Sequence, residues 1–458
     1  MIPAAWKSGE AAVIGLGRSG VHASLLLARE GVRVYASDGS SDAAAAAGAK
    51  RLRDAGIDAV AGAHDLERIA RAAVAVASPG VPPDAPPLAA ARAAKVPIVS
   101  EIEVALGVLA PARYIAITGT NGKTTTTALV GHLLRTLGKR AADAGNIGTP
   151  LTEIALRDDR PDWIALELSS FQLHDTPGVN PAVGVLTNLA PDHLDRYATA
   201  EEYYADKALL FRNASDRSTW VLNADDAGVM AMAAGVAGAH REFGIASEHA
   251  EMRLVRDGGH GEIRWNGTKL LARDELPLLG DHNVMNAMAA SLAVIAADPA
   301  HATRSSLSRI AEGLRSFRAP PHRLEMVGER GGVLWINDSK ATNISSTQVA
   351  IDGMTRPTVL LLGGRHKGEP YTALAKGLAR IVRVVLAYGE SAPIIEQDLQ
   401  GIVPVERLEN DFAKVVARAR AIAKPGDVVL LSPACSSYDM FRNYEERGAA
   451  FRRLADAA

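Results

Sequence analysis

Short apolar runs, each ending in glycine or a small polar cluster and each followed by a longer Ala/Leu-rich stretch, recur along the chain. Ala12-Val13-Ile14 runs into Gly15–Gly20, and Val32-Arg33-Val34-Tyr35 ends at Asp38. Ala73–Ala77, Tyr114–Ile117, Trp163–Leu166, Val183–Leu186, Val333–Ile336, Thr358–Leu362 and Val428–Leu431 repeat the pattern. Near-continuous apolar strands alternating with helical stretches predict parallel sheets, because crossover helices cover both sheet faces. Helices are expected over Thr125–Leu137, over Tyr203–Phe211 and at Ala43–Ala47, the last with Ser41 or Asp42 as N-cap. Between Arg241 and Leu279 the runs become short and alternating, and Glu262-Ile263-Arg264-Trp265 followed by Asn266-Gly267 predicts a small hairpin. No period of 20 to 50 residues repeats, which excludes a solenoid.

Two prolines in succession interrupt any element, and Ala319-Pro320-Pro321 sets one domain boundary. A Pro-rich stretch from Pro79 to Pro97 sets another near Val99–Ile102. The expected domains are therefore residues 1–102, 103–319 and 320–458, in keeping with a chain of 458 residues. Fifty Lys and Arg against 52 Asp and Glu give a net charge of −2, which argues against a nucleic-acid coat protein. A single cysteine excludes an internal disulfide and any Cys-rich zinc site. With no secretion signal at the N-terminus and no apolar run of about 18 residues, the expectation is a soluble cytoplasmic protein with no membrane partner.

The strongest chemical signal is Thr118-Gly119-Thr120-Asn121-Gly122-Lys123-Thr124, a strand leading through a glycine loop into a helix. Backbone N–H groups and the positive helix end bind phosphates there, Lys123 reaches terminal phosphates and the Thr124 hydroxyl can ligate Mg²⁺. The strict G-x-x-x-x-G-K-[ST] spacing is not met, since position 117 is Ile. Gly15-Leu16-Gly17-Arg18-Ser19-Gly20, followed by Asp38, is a dinucleotide-type fingerprint that any nucleoside diphosphate could use. Read alone it would suggest an NAD-dependent oxidoreductase, which leaves Gly119–Thr124 without a role. A regulatory nucleotide-binding module is the other competing class.

Glu167 ends the strand Trp163–Leu166, and Asp192-His193 lies beyond Val183–Leu186; both are placed for a metal or a phosphate. By pattern alone Lys207 reads as a solvated helix lysine. In the last domain, Asn337–Asn343, Gly363–Gly368 and Ser432–Asp439 follow three parallel strands and should converge on one crevice. Lys367 and Ser437 are candidate anion contacts, whereas Cys435 lacks a paired His and is not expected to be a nucleophile.

Taken together, these segments resemble the Mur ligase family, and the Asn337–Asn343 and Ser432–Asp439 motifs resemble its D-glutamate-adding branch. The resemblance spans nearly the whole chain. It implies an α/β fold of three domains: a Rossmann-like UDP-sugar domain, a central P-loop ATPase domain with a small β appendage, and a C-terminal Rossmann-like amino-acid domain. It assigns ATP to Gly119, Thr120, Asn121, Gly122, Lys123, Thr124 and Thr125, with Asn283 and Asn286 on the adenine side and Arg323 and Asp338 from the third domain. It assigns the UDP substrate to Leu16, Gly17, Arg18, Ser19, Asp38, Ser78, Asn146, Ser169 and His193. Thr342, Lys367, Ser437 and Tyr444 would hold the incoming amino acid.

Two Mg²⁺ ions would sit at Thr124, Glu167, His193 and Lys207, the last as a carbamate. Lys123, Glu167, His193 and Lys207 form the implied catalytic set. The implied reaction joins D-glutamate to UDP-N-acetylmuramoyl-L-alanine through an acyl phosphate, releasing ADP and phosphate, in a monomer; another amino-acid ligase of the same superfamily, such as an L-glutamate-adding one, is the alternative. Two departures from the pattern bear on the amino-acid pocket: position 444 is Tyr where Phe is expected, and Gly363-Gly364-Arg365-His366-Lys367 is unusually basic.

Overall fold

A computed structural model describes residues 2–110, 112–192, 196–257, 260–319 and 321–456. The first sheet comprises β1 (Glu10–Ile14), β2 (Arg33–Asp38), β3 (Asp58–Ala61), β4 (Val74–Ala77) and β5 (Ile98–Ser100), all parallel in the order β3-β2-β1-β4-β5. The chain leaves β1 toward β2 and later returns on the other side to β4. The order therefore reverses between β1 and β4, where open parallel sheets place ligands. Asp42 wins the contest for the cap of the Ala43–Asp54 helix, its carboxylate accepting from the backbone N–H groups of Ala44 and Ala45.

Among the described residues the second sheet has nine strands. β6 (Arg113–Thr118), β7 (Ala141–Gly145), β8 (Trp163–Glu167), β9 (Val183–Leu186), β10 (Thr219–Asn223) and β11 (Ala239–Gly244) are parallel. β12 (Met252–Asp257), β13 (His260–Trp265) and β14 (Thr268–Ala272) extend that sheet at its edge, the last two antiparallel. The expected hairpin is thus the outer part of a three-stranded extension. Its β13–β14 turn has Asn266 at φ 47° and Gly267 at φ 79°, the left-handed pair that a tight hairpin requires.

The first two sheets belong to one compact unit, residues 1–191, 197–272 and 287–314. Residues 102 and 103 lie inside the helix Glu101–Leu109, whose first residue ties the two parts together. The buried Glu101 carboxylate accepts from the backbone N–H groups of Leu151 and Thr152 and from the Thr152 hydroxyl. Burial pushes its carboxyl above the usual range, and those three donors oppose the shift.

The second unit, residues 192–196, 273–286 and 315–458, is built on a six-stranded sheet. β15 (Glu325–Arg330) is antiparallel to β16 (Val333–Asn337); β17 (Thr358–Gly363), β18 (Val382–Tyr388), β19 (Val405–Arg407) and β20 (Val428–Leu431) run parallel to β16. The order β15-β16-β20-β17-β18-β19 puts the ends of β16, β20 and β17 side by side. Separate apolar layers cover the two faces, one around Leu360, Leu362 and Leu430 and the other around Leu361, Val429 and Phe451.

Candidate functional site

At the switch point of the first sheet lies a cavity of about 580 Å³ lined by Gly15, Gly17, Arg18, Ser19, Asp38, His64 and Ser78. Gly20 is required there, because a Cβ on it would meet the Gly15 carbonyl at 1.8 Å. Asp38 accepts the Leu16 N–H through Oδ2 at 2.8 Å, so this acid shapes the glycine turn as well as facing the cavity. Ser78 donates to the Gly15 carbonyl at 3.2 Å, fastening the β1 and β4 ends together. Arg18 directs its guanidinium to the Gly148 carbonyl and to Glu153.

In the second sheet β6 stays in register through Ile117, which pairs with Val185 and Glu167, and this strand residue explains the missing first glycine. The phosphate-type loop proper is Gly119–Gly122. Gly119 has φ 141°, and a Cβ on it would lie 2.0 Å from the Thr187 hydroxyl. Gly122 caps the helix Lys123–Thr136 in the left-handed region at φ 81°. The loop is held against the β9 end: Asn188 O accepts from the Thr120 N–H, Asn188 Oδ1 accepts from the Asn121 N–H, and the Thr187 hydroxyl donates to Asn121 O. Thr124, Thr125 and Thr126 in the first turn of the helix are buried, and Lys123 is half-buried.

Two lysines from distant segments meet at this loop. Lys123 Nζ donates to the Gly119 and Thr120 carbonyls at 2.9 and 2.6 Å, and Lys207 Nζ donates to the same Gly119 carbonyl at 2.7 Å. Lys207, on the helix Ala200–Ala208, is 1% exposed and lies 4.4 Å from the centre of the Tyr203 ring. It is no solvated surface lysine.

Glu167 closes β8 next to the β6 end and is buried. Asn146 donates its amide to Glu167 Oε1 at 2.8 Å, while Oε2 is buried with no hydrogen-bond partner among the described residues. A bare buried carboxylate oxygen is costly unless a cation or proton meets it. That oxygen and the Thr124 hydroxyl are hard donors of the kind Mg²⁺ takes, so the residues present fit the ion. No cluster of three or more His, Cys, Asp or Glu forms among the described residues, and His193 lies outside them. Ser169 caps the short helix Ser170–His174 in a reciprocal capping box with Gln172.

In the second unit the three predicted loops do meet. The Gly363 N–H donates to Pro433 O, the Ala434 N–H to Ala341 O and the Arg365 N–H to Ser436 O. Arg447, fully buried, joins all three loops through the Ser339, Cys435 and Gly363 carbonyls and the Ser339 hydroxyl. Sequence inspection missed it, since its partners are backbone atoms scattered along the chain. Ser437 is buried and Thr342 half-buried at this crevice, whereas Lys367 is exposed. Tyr444 accepts from Lys340.

Asp338 accepts from the Ser432 hydroxyl and the Leu324 N–H; its burial pushes the carboxyl up to about 7, against the pull of these donors and of Arg323. Asn283 donates to Leu279 O and accepts from Asn286, while Asp192 accepts from Asn343. Cys435 is buried beside the Tyr371 and Ser391 hydroxyls, and burial raises its thiol pKa, as befits an inert side chain.

Three families match successive parts of the chain: Mur ligase MurD-like N-terminal domain over residues 9–100, Mur ligase middle domain over 117–294, and Mur ligase glutamate ligase domain over 322–435. A relative from Salinibacter ruber, named UDP-N-acetylmuramoylalanine--D-glutamate ligase, is 40% identical over 100% of this chain and 99% of its own. One of the same name from Anaeromyxobacter dehalogenans is 41% identical over 98% of each chain. Among solved structures, UDP-N-acetylmuramate-alanine ligase MurC from Thermotoga maritima is similar with a TM-score of 0.62 at 20% identity, over 98% of this chain and 99% of that one. The MurF ligase of Thermotoga maritima in complex with ADP gives 0.61 at 18% identity, over 84% and 90%. At such identities these two structures speak for the fold.

Proposed function

The chain belongs to the Mur ligase family, whose members use ATP and Mg²⁺, and we propose that it joins D-glutamate to UDP-N-acetylmuramoyl-L-alanine in peptidoglycan precursor synthesis. The observation that carries the reading is the likeness to D-glutamate ligases, 40% or more along essentially the whole chain. Its chemical counterpart is the Gly119–Thr124 loop beside the bare Glu167 oxygen.

A carboxylate and an amine do not condense unaided in water. ATP transfers its γ-phosphoryl to the L-alanyl carboxylate, giving an acyl phosphate and ADP. The amine of D-glutamate then attacks the acyl carbon, and the tetrahedral intermediate loses phosphate to leave the amide. Phosphoryl transfer needs positioning and charge neutralisation above all. The backbone N–H groups of the Gly119–Gly122 loop cradle the phosphates. Lys123, leaving the loop carbonyls it now holds, pairs with the β- and γ-phosphates. Thr124, Glu167, His193 and a carbamate on Lys207 would hold two Mg²⁺ ions, which neutralise the phosphate charge when bound.

Burial of Lys207 supports the carbamate, which converts a buried cation into an anionic ligand. Asn283, Asn286, Arg323 and Asp338 bind the rest of ATP. Leu16, Gly17, Arg18, Ser19, Asp38, Ser78, Asn146 and Ser169 serve the UDP substrate, and Thr342, Lys367, Ser437 and Tyr444 the amino acid. The domains take the roles set out above, and the enzyme acts as a cytoplasmic monomer. Among the described residues no helix is long and apolar enough to cross a membrane.

The test is ADP release from the protein with UDP-N-acetylmuramoyl-L-alanine, ATP and Mg²⁺, comparing D-glutamate, L-glutamate and no amino acid. Turnover with D-glutamate alone supports the reading, turnover with L-glutamate moves the specificity, and no stimulation by either overturns it.

A further inference from the structure

Two sets of hydrogen bonds, joined by one short turn of chain, lead from the first cavity to Glu167. The first set starts at Arg18, the first residue of the helix Arg18–Arg29 and part of the cavity lining. The guanidinium donates through Nε to Glu153 Oε2 at 2.8 Å and through NH1 to the Gly148 carbonyl at 2.6 Å. Gly148 belongs to the turn after β7, which the Gly145 N–H closes on Thr149 O at 3.0 Å. Inside this turn Asn146 grips Glu167 twice, its backbone N–H on Glu167 O at 3.0 Å and its amide on Oε1 at 2.8 Å. Gly145 lets the turn approach so closely, since a Cβ on it would stand 2.2 Å from Glu167 O. The result is a carboxylate with one oxygen held and the other, Oε2, buried and bare.

We propose that Arg18 and Asn146 are positioning residues that couple the two sites, so that a nucleoside diphosphate in the first cavity and a divalent cation at Glu167 each tighten the other. A guanidinium has five N–H donors in a rigid fork. With Glu153 and Gly148 served, Arg18 keeps donors for an anion, and its side chain is 55% exposed and lines the cavity. A diphosphate on that fork fixes the guanidinium, hence the Gly148 carbonyl, hence the angle at which Asn146 presents Glu167. The reverse effect follows from linkage and has the same size. The inference rests on the ligands assigned above to the two sites.

The test is equilibrium binding to the full chain, with Mn²⁺ and ADP as probes of the second site and UDP as the probe of the first. Mn²⁺ binding with ADP is read by electron paramagnetic resonance, with and without saturating UDP. In the unmodified protein UDP should tighten Mn²⁺ about fivefold or more, the lower end of ordinary coupling between sites. Arg18→Lys keeps the charge but loses the fork, and Asn146→Ala removes the grip on Oε1. Each also weakens UDP itself, so UDP is raised until the first site is saturated in each variant; the coupling measured there should fall within about twofold of unity.

A coupling that survives unchanged in Asn146→Ala, or its absence from an unmodified protein that binds both probes, overturns the proposal and leaves the proposed reaction standing. Unmodified protein that binds Mn²⁺ and ADP but no UDP overturns the reading of the first cavity, and the coupling with it. A purely structural role for Asn146 would lower stability without moving the coupling ratio.

Discussion

The Lys340 ammonium donates to the Tyr444 hydroxyl at 2.9 Å and lies 4.6 Å from the centre of the same ring. Position 444 departs from the expected Phe, and the added oxygen has a definite partner. Tyr444→Phe keeps the ring and its attraction for the cation but loses the acceptor. A hydrogen bond to a charged group is worth about 1.5–3 kcal/mol, so the KM for the amino acid should rise about tenfold or more with kcat within about twofold. Lys340→Met should raise it further. Steady-state ADP release against amino-acid concentration measures both, and an unchanged KM in Tyr444→Phe would show that the hydroxyl is a passenger.

Arg447 sets the crevice of the second unit by joining three loops from inside. Removing it leaves several buried carbonyls without donors, each costing about 1–3 kcal/mol. Arg447→Met should therefore cost roughly 3 kcal/mol or more, and at about 2–4 °C per kcal/mol the melting temperature should fall by about 6 °C or more. Hydrogen exchange localises the effect: amides of residues 337–343 and 432–437 should lose protection before those of β6 and β8. Equal loss across both units would contradict this role.

Strand ends and glycine turns were legible in the sequence because parallel strands, buried on both faces, write themselves as unbroken apolar runs. Val428–Leu431 and Val183–Leu186 are strands over those residues. The convergence of the third-domain loops followed from the same logic, since ligand loops collect at the C-terminal ends of parallel strands. What stayed illegible depends on contacts without local pattern. Arg447 looks like any arginine of an amphipathic helix until its partners, up to 108 residues away, are known. Glu101 looks like a first-turn acid, and only the fold brings it the donors of Leu151 and Thr152. Lys207 reads as solvated because nothing in Ala200–Ala208 reveals that the Gly119 carbonyl packs against it. Ser169 is the opposite case: Ser169-x-x-Gln172 is a capping box written in the sequence itself, because both of its partners lie within one helical turn.

Asp338 makes stability depend on pH. Burial raises its carboxyl from 3.8 to about 7 in the folded protein. Between those values the folded chain holds a proton that the unfolded chain has released, so this group's contribution falls as pH rises from about 4 to about 7 and is level above. Asp338→Asn resembles the protonated acid: its one amide oxygen can still accept from the Leu324 N–H, and its NH₂ can donate to the Ser432 hydroxyl oxygen as the acid proton would. Its melting temperature relative to the unmodified protein should climb from pH 5 to pH 8, while ADP release is lost if Asp338 contacts ATP. Parallel melting curves across that range would show that Asp338 is ionised throughout.

Lys207 offers the sharpest test of the second site. Its ammonium is buried and shares the Gly119 carbonyl with Lys123, so the two cations lie at one loop oxygen. A carbamate forms when the neutral amine attacks carbon dioxide and releases a proton; the nitrogen thereby becomes part of an anion that a divalent ion can hold. If Lys207 carries the proposed carbamate, Lys207→Ala deletes an anionic metal ligand and should lower kcat for ADP release by about 10³-fold, the scale for removing one electrostatic element of a transition state. Acetate or propionate, diffusing into the space left by the side chain, should restore part of the rate, more at higher Mg²⁺. Lys207→Arg, which keeps a cation and cannot be carbamylated, should be as inactive as Lys207→Ala and gain nothing from acetate. ¹³C-labelled bicarbonate adds a direct reading, a carbamate carbon resonance present in the unmodified protein and absent from both variants. Full activity in Lys207→Arg would remove the carbamate from the site and leave Lys207 as a structural cation at Gly119.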